Sequence, residues 1–316
     1  MSYFLSICIP TYNGGENLKY NVNKLIKMQS DFGFEVCVSD NASNDGTQEF
    51  MKDVICKYDF IKYHRNEENY GFAYNLDYVL TMANGEYRWL LGDDDEIIEE
   101  NLGKVILSLK EHKPDICVVN GGTLNTKEKR VINIKTNVYV DKNRVVEDIG
   151  EQMSWISSLI FAKTVIQLLK MKKINNNAFP HLIESFKYID CKCNIFWLDD
   201  ICVKSQTMQQ IRYDNKILEY FIKDWLNIFS FENSYSKYSK EIFLKAIIKR
   251  IFTNKSILVL RSRNIINKQN VYKVKEELKH YPLSFRFKIN LIVYVPYKIL
   301  DKFYNIYKLV KYYAKS

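Results

Sequence analysis

The stretch Tyr87-Arg88-Trp89-Leu90-Leu91-Gly92-Asp93-Asp94-Asp95 decides how the rest of the chain is interpreted. Its apolar part, residues 87–91, predicts a buried β-strand that ends at a glycine. Three adjacent carboxylates repel one another and are costly to remove from water, so a strand end holds them only where a cation or several donors compensate. The alternative, usual for an isolated acidic run, is a solvated loop whose acids face the dipole of a helix over residues 97–110. The position after a buried strand favours a site.

Four further apolar runs end in polar turns rich in Asn, Asp or Gly. In the first part of the chain, segments with the periodicity of a helix lie between these runs. This alternation predicts an α/β fold with a mainly parallel sheet. Ligands of such sheets bind outside the carboxyl ends of the strands, so the turns are expected to meet in one crevice. The predicted strands and helices cover residues 4–10, 17–28, 34–38, 47–57, 60–64, a helix up to 82, and 115–119. Later, residues 194–203 predict a hairpin that turns at Asp199 and Asp200.

The composition is that of a globular protein, with 316 residues of which 47% are hydrophobic and 26% charged. This length allows one large domain or two. The seven cysteines are odd in number and scattered, and several lie in apolar runs, which predicts buried thiols in a reducing compartment. Cys191, Cys193 and Cys202 lack the partners of a zinc site. The absence of a basic leader and of a spanning apolar run predicts a cytoplasmic protein, either soluble or bound at a membrane surface.

Four sequence elements stand at predicted strand ends in a characteristic order. They are Ile9-Pro10-Thr11-Tyr12-Asn13, residues 38–47 from Val38 to Thr47, Asn69-Tyr70-Gly71 with Asn75, and Asp93-Asp94-Asp95. Together they resemble the family-2 glycosyltransferases with the GT-A fold, and the resemblance covers residues 3–205. It implies a GT-A-type, Rossmann-like sheet, and within the family the acidic triplet looks most like that of enzymes that decorate bacterial surface polysaccharides.

The resemblance implies a site for a nucleotide-sugar donor. Tyr12 and the backbone at Thr11 would flank the base, and Asp40 would accept a hydrogen bond from the ring N–H. The alternatives are structural, since residues 10–13 can form a turn and Asp40 or Ser43 can cap a helix. The other positions matched to donor binding are Pro10, Asn13, Asn41, Asn69, Gly71, Asn75, Asp93 and Asp94.

The resemblance also implies a divalent cofactor, Mn²⁺ or Mg²⁺, at the acidic triplet. Such ions prefer oxygen ligands and neutralise charge on a departing diphosphate. Asp95 is the first candidate for a direct metal ligand and Asp93 the second. Asp94 is expected to point the opposite way if the strand continues, because successive side chains of a strand alternate.

Members of this family invert the anomeric centre, which requires a base that deprotonates the acceptor hydroxyl. The family carries a Glu-Asp pair for this purpose in a segment that corresponds to residues 175–184. The pair is absent here. His181 takes about its place, with a pKa suited to proton transfer near neutrality, and Glu184 lies one turn later. The alternative for His181 is a structural role at the start of a helix.

The basic charge of the protein is concentrated after residue 220, whereas the first hundred residues are net acidic. We predict a catalytic domain over residues 1–215 and a basic, aromatic-rich helical appendage over 216–316. Residues 285–316 predict contact with an anionic membrane surface, and the alternative is a solvated basic face packed on the catalytic domain. Residues 209–213 superficially match an element of processive synthases and predict a strand exit. No nucleic acid is expected as a partner, because the acidic crevice would repel it.

These features predict an inverting glycosyltransferase that moves a sugar from a nucleotide-diphosphate sugar to a saccharide acceptor. The resemblance implies a lipid-linked surface glycan as that acceptor and a position on the inner face of the membrane. One alternative is a sugar-phosphate nucleotidyltransferase, which is disfavoured because its N-terminal Gly-rich, Arg-containing loop is missing. The other is a non-catalytic protein that binds membrane or nucleic acid and carries a degenerate site.

Overall fold

The computed structural model describes residues 3–123, 134, 137–174, 177–205, 216–231 and 234–302. The chain divides into two compact units, Met1–Gln209 with Asn233–Tyr235, and Gln210–Glu232 with Ser236–Ser316. The predicted domain boundary at residue 215 and the predicted strand exit at 209–213 lie outside the described residues, and so do residues 303–316 of the predicted membrane-contacting segment.

The first unit contains a nine-stranded sheet of order β3-β2-β1-β4-β8-β6-β9-β5, with β7 paired to β9. Strands β3, β2, β1 and β4 run parallel to one another, and β6 and β9 form a second, long parallel pair. Antiparallel pairing joins β8 to β4 and β6, and joins β5 and β7 to β9. The predicted α/β fold with a mainly parallel sheet is confirmed. The strands are β1 Leu5–Thr11, β2 Glu35–Asp40, β3 Ile61–Arg65, β4 Tyr87–Leu90, β5 Asp95–Ile97, β6 Ile116–Thr123, β7 Val138–Tyr139, β8 Leu159–Ala162 and β9 Ile195–Ser205.

Amphipathic helices cover this sheet. In α1, Leu18, Val22 and Leu25 recur at helical spacing and are buried, which is the pattern of a helix with one apolar stripe. Helix α1 ends at Gly33, whose φ of 63° suits a residue without Cβ. The helices of the unit are α1 Gly15–Phe32, α2 Thr47–Ile55, α3 Phe72–Met82, α4 Glu99–His112, α5 Lys142–Asp148, α6 Lys163–Ile166 and α7 Pro180–Cys191.

The register of the parallel strands brings their polar ends to one level. Thr11 of β1 is opposite Asp40 of β2, and Asp40 is opposite Arg65 of β3. Strand β4 is set back, because its Leu90 is opposite Cys8. The residues that follow β4 therefore reach the level at which β1 ends.

Two local predictions are wrong. The expected hairpin at Asp199 and Asp200 is absent, because Ile195–Ser205 is one continuous strand that follows β6 through a register irregularity beside Asn120. The expected alternation of the acidic triplet is also absent. Asp93 and Asp94 lie in a turn, and Asp95 begins the separate strand β5, so strand geometry does not continue from β4.

The second unit is helical in the part that the structure describes. The buried rings of Trp225 and Phe243 are stacked, and the partly buried Phe229 meets Phe243 edge-on. No helix among the described residues of the chain is long and apolar enough to cross a membrane. The α-helices are α8 Lys237–Arg250, α9 Asn254–Ser262, α10 Lys268–Lys273, α11 Lys275–Leu278 and α12 Leu283–Ile292, preceded by a π-helical segment, Glu219–Asp224.

Candidate active site

The acidic turn after β4 is bound to the loop that follows β1. Thr11 Oγ1 donates a 2.6 Å hydrogen bond to Asp93 Oδ2. Gly14 allows this close approach, because a Cβ at that position would lie 2.7 Å from the same carboxylate oxygen. Asn21 on α1 donates from Nδ2 to the backbone carbonyl oxygens of Asp93, at 2.9 Å, and Asp95, at 2.6 Å. The positions of Thr11 and the acidic turn are thus set together.

The carboxylate of Asp95 is buried and oriented by two donors. Its Oδ2 accepts hydrogen bonds from Trp155 Nε1, at 2.6 Å, and from Ser157 Oγ, at 2.5 Å. The same Ser157 hydroxyl accepts from the backbone N–H of Gly92 at 2.8 Å. The Trp155 ring lies against Gly121 of β6, where any Cβ would overlap it. Two residues that the sequence analysis did not identify therefore fix the orientation of the predicted metal ligand.

Carboxylate oxygens of this turn are ligands of the kind that Mn²⁺ and Mg²⁺ prefer. Asp94 Oδ1 and Asp95 Oδ2 both lie near Gly92, at 3.3 Å and 2.8 Å from the position of a Cβ there. Among the described residues, no group of three or more His, Cys, Asp or Glu side chains is placed to hold a metal. The donor set fits an ion held by one or two carboxylates, with substrate phosphates and water as its other ligands.

Asp40 is fully buried, and both of its carboxylate oxygens accept hydrogen bonds from this chain. Oδ1 accepts from the N–H and the hydroxyl of Ser43, and Oδ2 accepts from the Tyr63 hydroxyl at 2.7 Å. Asn13, at a φ of 55°, extends this arrangement, because its N–H donates to Ser43 Oγ at 2.8 Å. In this arrangement Asp40 and Asn13 organise the loops, and direct contact of Asp40 with a base stays a prediction.

A chain of amide side chains joins the ends of β1, β2 and β3 to the start of α3. Asn75 Nδ2 donates to backbone carbonyl oxygens of β1 and β2, and Asn75 Oδ1 accepts from Asn66 Nδ2 at 3.4 Å. Asn66 also donates to Asn41 Oδ1 at 2.9 Å, and Asn41 donates to Asn69 Oδ1 at 2.7 Å. Asn69 accepts in turn from the N–H of Gly71. This network holds the loop before α3 in place.

The prediction that Asn75 contacts the donor is not supported by this geometry. Its side chain is 3% exposed, and both ends of its amide are used inside the network. Two other predicted residues are nearer to solvent, since Tyr12 is 48% exposed and Asn69 is exposed. Gly71, which precedes α3, has a φ of 91° that favours glycine. Pro10 is buried within β1.

The side chain of His181 is buried and is not exposed to a solvent-filled crevice. Its Nε2 donates to the carbonyl oxygen of Ser154 at 3.1 Å, and its ring meets the edges of Phe72 and Phe179. Burial lowers the pKa of His181 to about 4, against a smaller opposing effect of the Ser154 carbonyl. The predicted role of His181 as an accessible base is therefore corrected to that of a neutral, packed side chain.

Glu184 is also engaged within the fold. One carboxylate oxygen accepts from the backbone N–H of Lys170, and the other pairs with Lys187, each at 2.8 Å. Glu184 lines a cavity of about 760 Å³ beside the segment after β8. Both carboxylate oxygens are thus occupied within the fold, and a role of Glu184 as the base stays a prediction.

The first half of the chain is similar to proteins of a known family. A model of the family described as Glycosyl transferase family 2 matches residues 6–163, half of the chain. Abequosyltransferase RfbV of Salmonella typhimurium is 30% identical over 176 residues, which are 50% of this chain and 53% of that protein. The GalNAc(5)-diNAcBac-PP-undecaprenol beta-1,3-glucosyltransferase of Campylobacter jejuni is 28% identical over 177 residues, 55% of this chain and 56% of that protein. The chain thus spans about half the length of these relatives.

Solved structures show the same fold at low sequence identity. The crystal structure of S. aureus TarS 1–349 has a TM-score of 0.61 at 18% identity, covering 96% of this chain and 91% of that chain. The mannosyltransferase PcManGT of Pyrobaculum calidifontis, in complex with GDP-Man and Mn²⁺, has a TM-score of 0.57 at 13% identity and covers 95% and 83%. At these identities the likeness shows the fold alone, which is the GT-A type.

Proposed function

The chain belongs to glycosyl transferase family 2, and on that premise we propose that it transfers a sugar from a nucleotide-diphosphate sugar to a saccharide acceptor of a bacterial surface glycan. The observation that carries the proposal is the acidic turn after β4, which Thr11, Asn21, Trp155 and Ser157 hold rigidly at the carboxyl ends of the parallel strands. Ligands of open α/β sheets bind at this edge.

Donor binding is proposed at the loops that end β1, β2 and β3. The exposed ring of Tyr12 offers a flat surface for a base, and the exposed Asn69 lies with Gly71 in the loop before α3. Asp93 and Asp95 would hold Mn²⁺ or Mg²⁺, which when bound neutralises charge on the departing diphosphate. The role of the chain is to orient these carboxylates, since a fixed site spends no free energy on reorganisation during reaction.

The proposed reaction inverts the anomeric centre, and the proposed acceptor is lipid-linked. Support for the acceptor comes from the Campylobacter jejuni relative, whose name specifies an undecaprenol-linked glycan. An enzyme acting on such an acceptor works at the inner face of the cell membrane, and this is the location we propose. Anomeric proton couplings in the NMR spectrum of the product distinguish inversion from retention.

The test of donor and metal binding is calorimetry with UDP, GDP, CDP and dTDP, each with and without Mn²⁺. We expect one of them to bind in a metal-dependent way, and Asp95→Asn to lose that dependence. The matched control is Asp31→Asn, which changes an exposed acid at the far end of α1. Absence of metal-dependent binding to any of the four would refute the proposed function and leave a non-catalytic role. Turnover of a nucleoside triphosphate with a sugar phosphate would favour nucleotidyl transfer instead.

A further inference from the structure

Helix α12 presents apolar side chains on two sides. Phe285 and Ile289 point into the second unit and are 3% and 0% exposed. Leu283, Phe287 and Leu291, spaced four residues apart, are 74%, 66% and 56% exposed. At 100° per residue these three lie on one stripe, turned away from the buried side. Single exposed apolar side chains scattered over a surface are common and show no regular spacing. Three large ones at helical spacing form a continuous patch, which indicates a binding surface. We call these three residues the outer stripe.

An exposed tyrosine continues the outer stripe, and further exposed tyrosine and lysine side chains lie on α10 and α11. Tyr294 is 70% exposed, one turn beyond Leu291, and Lys268 Nζ lies 4.8 Å from the centre of its ring. Tyr272 is 67% exposed, with Lys275 Nζ 4.0 Å above its ring. Tyrosine and lysine together are typical of groups at a lipid–water boundary, where an apolar body is buried and a polar tip stays wet.

The sequence that contains the outer stripe is strongly basic. Between residues 268 and 302 the chain has eight Lys or Arg and three Asp or Glu. Two copies of this surface would bring like charges together, which disfavours self-association. The excess of basic residues favours an anionic partner. Exposed apolar side chains next to basic ones favour a partner with an apolar interior beneath a negatively charged surface. A phospholipid surface has both properties.

We infer that the outer stripe of α12 inserts into the surface of a membrane that contains anionic phospholipids. The stripe supplies the apolar anchor, and basic side chains, including those of Arg286 and Lys298, contact the lipid phosphates. The inference deepens the proposed function by naming the surface that would hold the enzyme beside a lipid-linked acceptor. It does not require catalysis, so it is tested separately.

The test is co-sedimentation of the full chain with vesicles of phosphatidylcholine, alone or mixed with phosphatidylglycerol. We expect binding to the mixed vesicles that weakens as salt increases, and loss of most binding when Leu283, Phe287 and Leu291 are all replaced by serine. The matched control is Leu107→Ser, since Leu107 is 63% exposed on α4 of the first unit. We expect Arg286→Gln to lower the partition coefficient by about fivefold, which is the usual contribution of one basic residue.

Two results would overturn the inference. One is equal vesicle binding by the triple variant and the Leu107→Ser control. The other is loss of an oligomer by the triple variant in light scattering, which would assign the stripe to a second copy of the chain. Circular dichroism checks that the variant remains helical. Nucleotide binding is measured on the same samples, so that its loss with vesicle binding retained would count against the proposed function and not against this surface.

Discussion

Replacing Asn75 by alanine removes the centre of the amide network that joins three strand ends. The side chain donates to the carbonyl oxygens of Thr11, at 3.2 Å, and Ser39, at 2.9 Å, and accepts from Ser39 Oγ at 2.6 Å and from Asn66 at 3.4 Å. Each buried hydrogen bond contributes about 1 kcal/mol, and the 3.4 Å contact is weak. We therefore expect the free energy of unfolding to fall by about 3 kcal/mol, roughly a hundredfold in the unfolding equilibrium.

The measurement is urea unfolding followed by circular dichroism, with Thr81→Ala as the control. Thr81 is exposed near the end of the same helix, and its hydroxyl donates to the local carbonyl of Tyr78, so its replacement is expected to change stability by less than about 0.5 kcal/mol. If Asn75 instead contacted the donor, the variant would match the control in stability and lose only nucleotide affinity. That result would refute the structural role argued for this residue.

Two further perturbations follow from the site. Gly121→Ala would place a methyl group where the Trp155 ring lies, so we expect Trp155 to shift and Asp95 to lose a donor. Metal affinity, measured by Mn²⁺ electron paramagnetic resonance, is then expected to fall about tenfold, as for other residues that orient a metal ligand, and unchanged affinity would show that Trp155 does not position Asp95. Because burial holds the pKa of His181 near 4, below its ordinary 6.5, the neutral imidazole stabilises the fold fully above about pH 6.5, and this stability is lost as the pH falls toward 4. We expect His181→Leu to flatten the stability curve across that window, and an unaltered curve would show that His181 is accessible to protons when folded.

The strands that carry the site could be predicted from local patterns. Apolar runs of five to seven residues, each followed by a turn with Asn, Asp or Gly, predicted the ends of β1, β2, β3 and β4 within two residues of where they lie. The register that brings Thr11 beside Asp93 follows from parallel pairing of these strands, so proximity of the loops was also predictable. Short-range periodicity is sufficient for this level of description.

The contacts that orient the side chains were not predictable in the same way. Trp155 and Ser157 are about sixty residues from Asp95 along the chain, and no local pattern marks either residue as its partner. Asn21 did carry a signal, because it follows Leu18 by three residues and so places an amide on the apolar face of α1. The turn expected at Asp199 and Asp200 does not form, because pairing of β9 with β6 outweighs the turn preference of these two residues.

The amide network has a consequence for changing donor preference. Asn41, Asn66 and Asn75 are committed to one another and to the backbone, so altering them is expected to disturb folding before it alters recognition. Tyr12 and Tyr70 have rings that are 48% and 43% exposed at the same edge of the sheet. If the proposed donor site is correct, libraries confined to these two tyrosines would vary the surface offered to the sugar nucleotide while leaving the amide network intact.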